Sequence, residues 1–221
     1  MIWTVPNILT VLRLLAAPAL GVMFLYFTRP YADWFALALF VGASVTDWFD
    51  GYLARAWKQV SKMGAMLDPI ADKAMVSIAL LVLVCVSQVK LFILLPAVLI
   101  MFREVFVSGL REFLGDTAGL LKVTKLAKWK TTVQMVAISV LFAQGIFEHY
   151  FVMGSMGMDN VMVADILQGA VPDHGGLANL YQGMVWSGYA GIALLWLAAV
   201  LTVVTGFDYF RKAMPYLKEG A

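Results

Sequence analysis

Beyond Arg13, six stretches of this chain run for twelve residues or more without an Asp, Glu, Lys or Arg: 14–28, 34–46, 74–89, 91–102, 131–147 and 174–207. A segment of about 20 mostly apolar residues is stable across a bilayer, and a chain carrying several of them folds there. Most of these stretches are too short to span alone. They reach spanning length only if each helix also carries the charged residues at its borders, among them Arg13, Asp47, Asp50, Asp72 and Arg103. Six membrane helices are therefore predicted, over roughly 8–28, 34–56, 69–89, 91–113, 129–149 and 184–211. Their charged ends must line one shared cavity, because charges facing lipid are costly. Composition agrees. The chain is 62% apolar and 14% charged over 221 residues, against about 45–50% and 25% for soluble domains. The expectation is an all-α integral membrane protein, a single polytopic domain over 1–221.

Charge placement gives an orientation. Basic residues crowd 55–73 (Arg55, Lys58, Lys62, Lys73), 103–130 and the tail, whereas 148–183 holds Glu148, Asp159, Asp165 and Asp173 with no Lys or Arg. The positive-inside bias puts both termini and both basic segments in the cytoplasm. The Gly- and Met-rich segment 148–183 reads as an irregular external loop. A net charge of +2 does not indicate a nucleic-acid partner, and the single cysteine, Cys85, excludes a disulfide framework. No cleavable presequence is expected from the first residues, MIWTVPN.

The chemistry-bearing segment begins at Val45: VTDWFDGYLARAWKQVSKMGAMLDPIADK. Asp47 and Asp50 are three apart, Asp68 and Asp72 four apart, and on helices both spacings place a pair on one face. Carboxylates gathered at the cytoplasmic ends of two consecutive helices repel one another and need cations. Carboxylate-only ligation selects a hard dication, Mg²⁺ or Mn²⁺, over zinc. Gly51 and Ala54 beside Asp50, and Gly64 before Asp68, leave helix surface open to a flat ligand. Arg55 and Ser61 offer donors to a phosphate or a sugar hydroxyl.

The pattern Asp47-x2-Asp50-Gly51-x2-Ala54-Arg55-x8-Gly64-x3-Asp68-x3-Asp72 resembles, at all eight fixed positions, the signature of the CDP-alcohol phosphotransferase family. The resemblance implies a six-helix bundle with the motif on its second and third helices. It implies a pair of Mg²⁺ ions, or Mn²⁺, held by Asp47, Asp50, Asp68 and Asp72. It also implies that Asp72 takes the proton from the attacking alcohol. Gly51, Arg55 and Ser61 would contact the cytidine diphosphate, with Ala54 and Gly64 beside them. Asn7 and Thr10, from the element Pro6-Asn7-Ile8-Leu9-Thr10, would join them.

Outside the signature, the segments VPNILTVLRLLAAP, REVFVSGLREFLG, LAKWKTTVQM and YAGIALLWLAAVLT are similar to the bacterial branch of the family whose acceptor is sn-glycerol 3-phosphate and whose donor is CDP-diacylglycerol. Such an enzyme would sit in the bacterial inner membrane among its lipids, with its active site facing the cytoplasm; whether it forms a homodimer is left open. A phosphorylated acceptor needs its own anion site. Arg103 and Arg111 lie eight apart on the fourth helix, and Lys128 and Lys130 open the fifth; these are the candidates. Lys122 and Lys125 read instead as anchors for anionic headgroups. The branch carries Gly-Lys-x-Lys-Thr where this chain has Ala127-Lys128-Trp129-Lys130-Thr131. A family member using another acceptor is one alternative. A divalent-cation transporter is another, but its acidic path should cross the bilayer, whereas these carboxylates gather on one side.

Overall fold

The computed structural model describes residues 4–56, 61–115 and 125–218, with the side chains of 6, 48–56, 62, 125–128 and 218 outside the description. The described residues fold into helices: α1 (Val5–Tyr26), α2 (Tyr31–Ala56), α3 (Lys62–Val86), α4 (Leu91–Leu114), α5 (Lys125–Gly154), α6 (Asn160–Gln168) and α7 (Leu177–Lys218). Five are long and apolar enough to cross a membrane, over Asn7–Tyr26, Met63–Val86, Leu91–Leu114, Trp129–Gly154 and Leu177–Leu217. The protein is a multi-pass membrane protein. The sixth predicted span, 34–56, falls on α2, whose side chains beyond Asp47 lie outside the described residues, so the count of six is not reproduced.

Capping explains where several helices begin. Thr4 caps α1, accepting from the Asn7 amide at 3.5 Å, and proline stands in the first turn, where its missing N–H costs nothing. Ser61 caps α3, its hydroxyl accepting from the Gly64 amide at 2.9 Å. Helix α3 therefore starts seven residues before the predicted 69, ahead of the apolar window. The segment 148–183 is also more ordered than its composition implied. Helix α5 runs on to Gly154, and α6 is closed by Asp159, which accepts from Met162, and by Gly169 in the left-handed conformation. Exposed Asp173 then receives the amides of Leu177 and Ala178, both at 2.9 Å, and starts α7.

The chain divides into two compact units, residues 1–79 with 138–191 and residues 80–137 with 192–221. In the first, α1 packs on α2 around Ala17, Leu20, Ala32, Ala36 and Phe40, with Phe142 of α5 near the rings of Phe24 and Phe40. The hairpin between α1 and α2 is clamped by Arg29, whose guanidinium meets both oxygens of buried Asp33 at 2.8 and 2.9 Å. In the second, Ile93, Ala97 and Ile100 of α4 and Leu195, Ala198 and Ala199 of α7 are buried, and Trp196 donates to the Phe92 carbonyl at 3.0 Å. Small residues at these seams let helices approach closely, as bilayer packing requires. The outside is apolar: Leu25, Phe102, Phe113 and Trp186 are each more than two-thirds exposed, which in water would be an aggregation surface.

Candidate active site

Three positions on one face of α1 build the site in the first unit. Asn7, Thr10 and Arg13 recur every three residues and are all buried. Each meets a successive level of the α3 region. Ser61 donates to Asn7 Oδ1 at 2.7 Å. Thr10 donates to Asp68 Oδ1 at 2.7 Å. Arg13 donates through Nη1 to Asp72 Oδ1 at 2.6 Å. Residue numbers rise together on both helices, so α1 and α3 run side by side in the same direction, as two spans entering the membrane from one side must. Gly64 belongs to this seam: a Cβ there would lie 2.8 Å from Asn7 Oδ1 and 3.2 Å from Ser61 Oγ. The absence of a side chain is what allows α1 and the start of α3 to touch.

Helix α2 delivers the remaining carboxylate. Asp47, near its end, accepts from the same Arg13 Nη1. Arg13 Nη2 also lies 3.8 Å from Asp68 Oδ1. Three carboxylates from two helices thus converge on one guanidinium. Its side chain is 2% exposed, while those of Asp47, Asp68 and Asp72 are 41%, 46% and 43% exposed. The cation is buried beneath the anions, and the anions open outward. Arg13 is thus paired with the acidic group.

Among the described residues no set of three His, Cys, Asp or Glu side chains is arranged as a metal site. The chemistry of the donors nevertheless fits a hard dication. They are carboxylate oxygens only, partly exposed and gathered by a positive charge. Asp50 follows Asp47 by one turn of the unbroken helix α2. Its side chain, with those of Gly51, Ala54, Arg55 and Lys128, lies outside the described residues.

The predicted acceptor residues belong to the second unit. There Glu104 gathers two of them. Arg103 Nη1 donates to Glu104 Oε1 at 3.1 Å, and Lys130 Nζ donates to the same oxygen. Arg103 also reaches Thr205 Oγ1 through Nη2 at 3.5 Å. Arg111 is exposed and lies over the Tyr209 ring, 5.2 Å from its centroid. Two cations on one carboxylate leave a net positive group, suited to an anion. The sequence reading missed Thr205. Its signal was a polar residue facing inward from an otherwise apolar span, one position before Gly206.

Known proteins place this arrangement. A family model described as CDP-alcohol phosphatidyltransferase matches residues 3–204. The chain is 59% identical over 217 residues, 98% of each chain, to the CDP-diacylglycerol–glycerol-3-phosphate 3-phosphatidyltransferase of Cereibacter sphaeroides. It is 38% identical to the protein of the same name from Rickettsia bellii, covering 96% of each chain. The identically named protein of Escherichia coli is 33% identical, over 96% of this chain and 95% of its own. With Asp47, Asp68 and Asp72 of its signature brought together from α2 and α3, the chain belongs to the CDP-alcohol phosphatidyltransferase family.

Proposed function

We propose that this enzyme transfers the phosphatidyl group of CDP-diacylglycerol to sn-glycerol 3-phosphate, releasing CMP and forming phosphatidylglycerophosphate. The observation that carries the reading is the convergence of Asp47, Asp68 and Asp72 on Arg13, at the spacing of a phosphotransferase signature. The 59% identity to a relative named for this reaction supports the choice of alcohol.

Asp47, Asp50, Asp68 and Asp72 would hold two Mg²⁺ ions, or Mn²⁺ in their place. When bound, such ions polarise the transferring phosphoryl group and offset charge on the departing CMP. The protein's own groups supply position and a base. Asn7, Thr10, Ser61 and Gly64, with Gly51, Ala54 and Arg55, cradle the cytidine diphosphate. Arg13 holds Oδ1 of Asp72, leaving Oδ2 to act as the base. That oxygen takes the proton of the attacking hydroxyl. The hydroxyl oxygen bonds to the phosphorus carrying diacylglycerol, the bridging P–O bond breaks, and its electron pair leaves with CMP. Arg103, Arg111, Lys128 and Lys130 hold the acceptor's phosphate. The basic segments 55–73 and 103–130 favour a cytoplasmic site in a bacterial inner membrane.

The test uses detergent-purified protein with CDP-diacylglycerol, Mg²⁺ and a panel of glycerol 3-phosphate, glycerol, serine and inositol phosphate. CMP release should be fastest with glycerol 3-phosphate. A different best acceptor overturns the choice of alcohol, and no release with any of them overturns the transfer.

A further inference from the structure

The second unit contains buried polar groups that phosphate binding leaves without a task. On α7, Thr202, Thr205, Gly206 and Tyr209 fall at steps of three, four and seven, which is one helix face. Thr202 is completely buried, Thr205 is 5% exposed and Tyr209 6%. On α5, Gln134 is 3% exposed and stands one turn beyond Lys130. Among the described residues, the hydroxyls of Thr202 and Tyr209, Oε1 of Gln134 and Nε of Arg103 have no hydrogen-bond partner.

Lipid offers no hydrogen bonds, so a membrane protein that buries polar atoms has to satisfy them internally or with something it binds. These groups are also tied to the cationic cluster by contact. Arg103 reaches Thr205, and its stem crosses Gly206, where a Cβ would lie 2.8 Å from Arg103 Cγ. Arg111 covers the Tyr209 ring. Lys130, one turn from Gln134, shares Glu104 with Arg103. Three of the four open atoms can donate, and one, Gln134 Oε1, accepts. A ligand that answers this set carries an anion and at least one hydroxyl of its own.

We propose that Gln134, Thr202 and Tyr209, together with Arg103 Nε, form a subsite that reads the hydroxyl not used in transfer on a phosphorylated polyol acceptor. The proposal deepens the function above and rests on it. Gln134 Oε1 accepts from the acceptor's secondary hydroxyl, and the Tyr209 and Thr202 hydroxyls and Arg103 Nε donate to its oxygens. The four groups are thereby specificity-determining, because an acceptor lacking that hydroxyl leaves them buried and unpaired.

The test compares two acceptors, glycerol 3-phosphate and 3-hydroxypropyl phosphate, which lacks only the secondary hydroxyl. The unaltered enzyme should prefer glycerol 3-phosphate by about tenfold or more in kcat/KM, the value of one well-made hydrogen bond. Gln134→Leu should bring the ratio toward one while leaving KM for CDP-diacylglycerol within about twofold. Gln134→Met is the second variant should leucine fold poorly. Tyr209→Phe and Thr202→Val preserve shape and should raise KM for glycerol 3-phosphate about five- to tenfold. If the preference survives in both Gln134 variants, the subsite is wrong and the open atoms are met by water alone. A wild-type enzyme that refuses glycerol 3-phosphate but turns over another alcohol would instead overturn the function, a distinct outcome.

Discussion

The Arg13 guanidinium donates to the Asp72 carboxylate at 2.6 Å, yet the first side chain is 2% exposed and the second 43%. One partner belongs to the protein interior and the other to the site. The pair therefore links bundle stability to the position of the proposed base.

Removing the cation should show both effects. Arg13→Ala leaves Asp47, Asp68 and Asp72 without the charge that gathers them, a loss of about 1–3 kcal/mol because the carboxylates stay partly solvated. Arg13→Lys keeps the charge but not the two-pronged fork, and should recover much of the stability and little of the activity. Thermal unfolding in detergent and CMP release, measured on both variants, check this; equal activity in Arg13→Lys and wild type would make the residue a simple counter-charge.

Asp72 should differ from its neighbours. Asp47→Asn and Asp68→Asn lose a ligand oxygen, and excess Mg²⁺ should restore part of their rate. Asp72→Asn also loses the proton acceptor, so at saturating Mg²⁺ its kcat should stay about 10²–10⁴-fold down. Rescue of Asp72→Asn by metal would reduce that residue to a ligand.

Gly64→Ala tests the seam between α1 and α3. The new methyl would stand 2.8 Å from Asn7 Oδ1 and must push Asn7 away from Ser61. KM for CDP-diacylglycerol should rise about tenfold, as one hydrogen bond is disturbed, with KM for glycerol 3-phosphate nearly constant. Two-substrate kinetics separate the two constants.

The start of α7 should respond to acid. The Ala178 and Leu177 amides hold the Asp173 carboxyl below the usual carboxylate range. A lowered value means the cap is fully present above the ordinary Asp titration near about pH 4 and is lost as pH falls through the lower, folded value. Hydrogen-exchange protection at the first amides of α7 should be steady from neutral pH to about pH 4 and drop below it, whereas Asp173→Asn should show no such step.

Much of this was legible in the sequence, for identifiable reasons. Apolar runs located six of the helices because a bilayer demands them, and the aspartate spacing singled out Asp47, Asp68 and Asp72, which gather on Arg13. Helix ends were less legible. The early start of α3 rests on the Ser61 cap, and α6 on Asp159 and Gly169, all of which are local polar signals in segments dominated by hydropathy or by glycine. Least legible was register between helices. That Asn7 meets Ser61, Thr10 meets Asp68 and Arg103 meets Thr205 depends on how helices distant in sequence slide past one another, which no spacing within one helix determines.

The arrangement around Arg13 also has a history within each molecule. Arg13 lies on α1, ahead of its acidic partners in the chain, and an unpaired charge costs up to about 2.5–3.5 kcal/mol at mid-membrane. Its first acidic partner, Asp47, emerges 34 residues later, and Asp72 59 residues later. Helix α1 itself is long and apolar enough to cross a membrane, over Asn7–Tyr26. Each carboxylate that meets Arg13 is supplied by a later helix, so the order of translation is also the order in which the acidic cluster assembles around it.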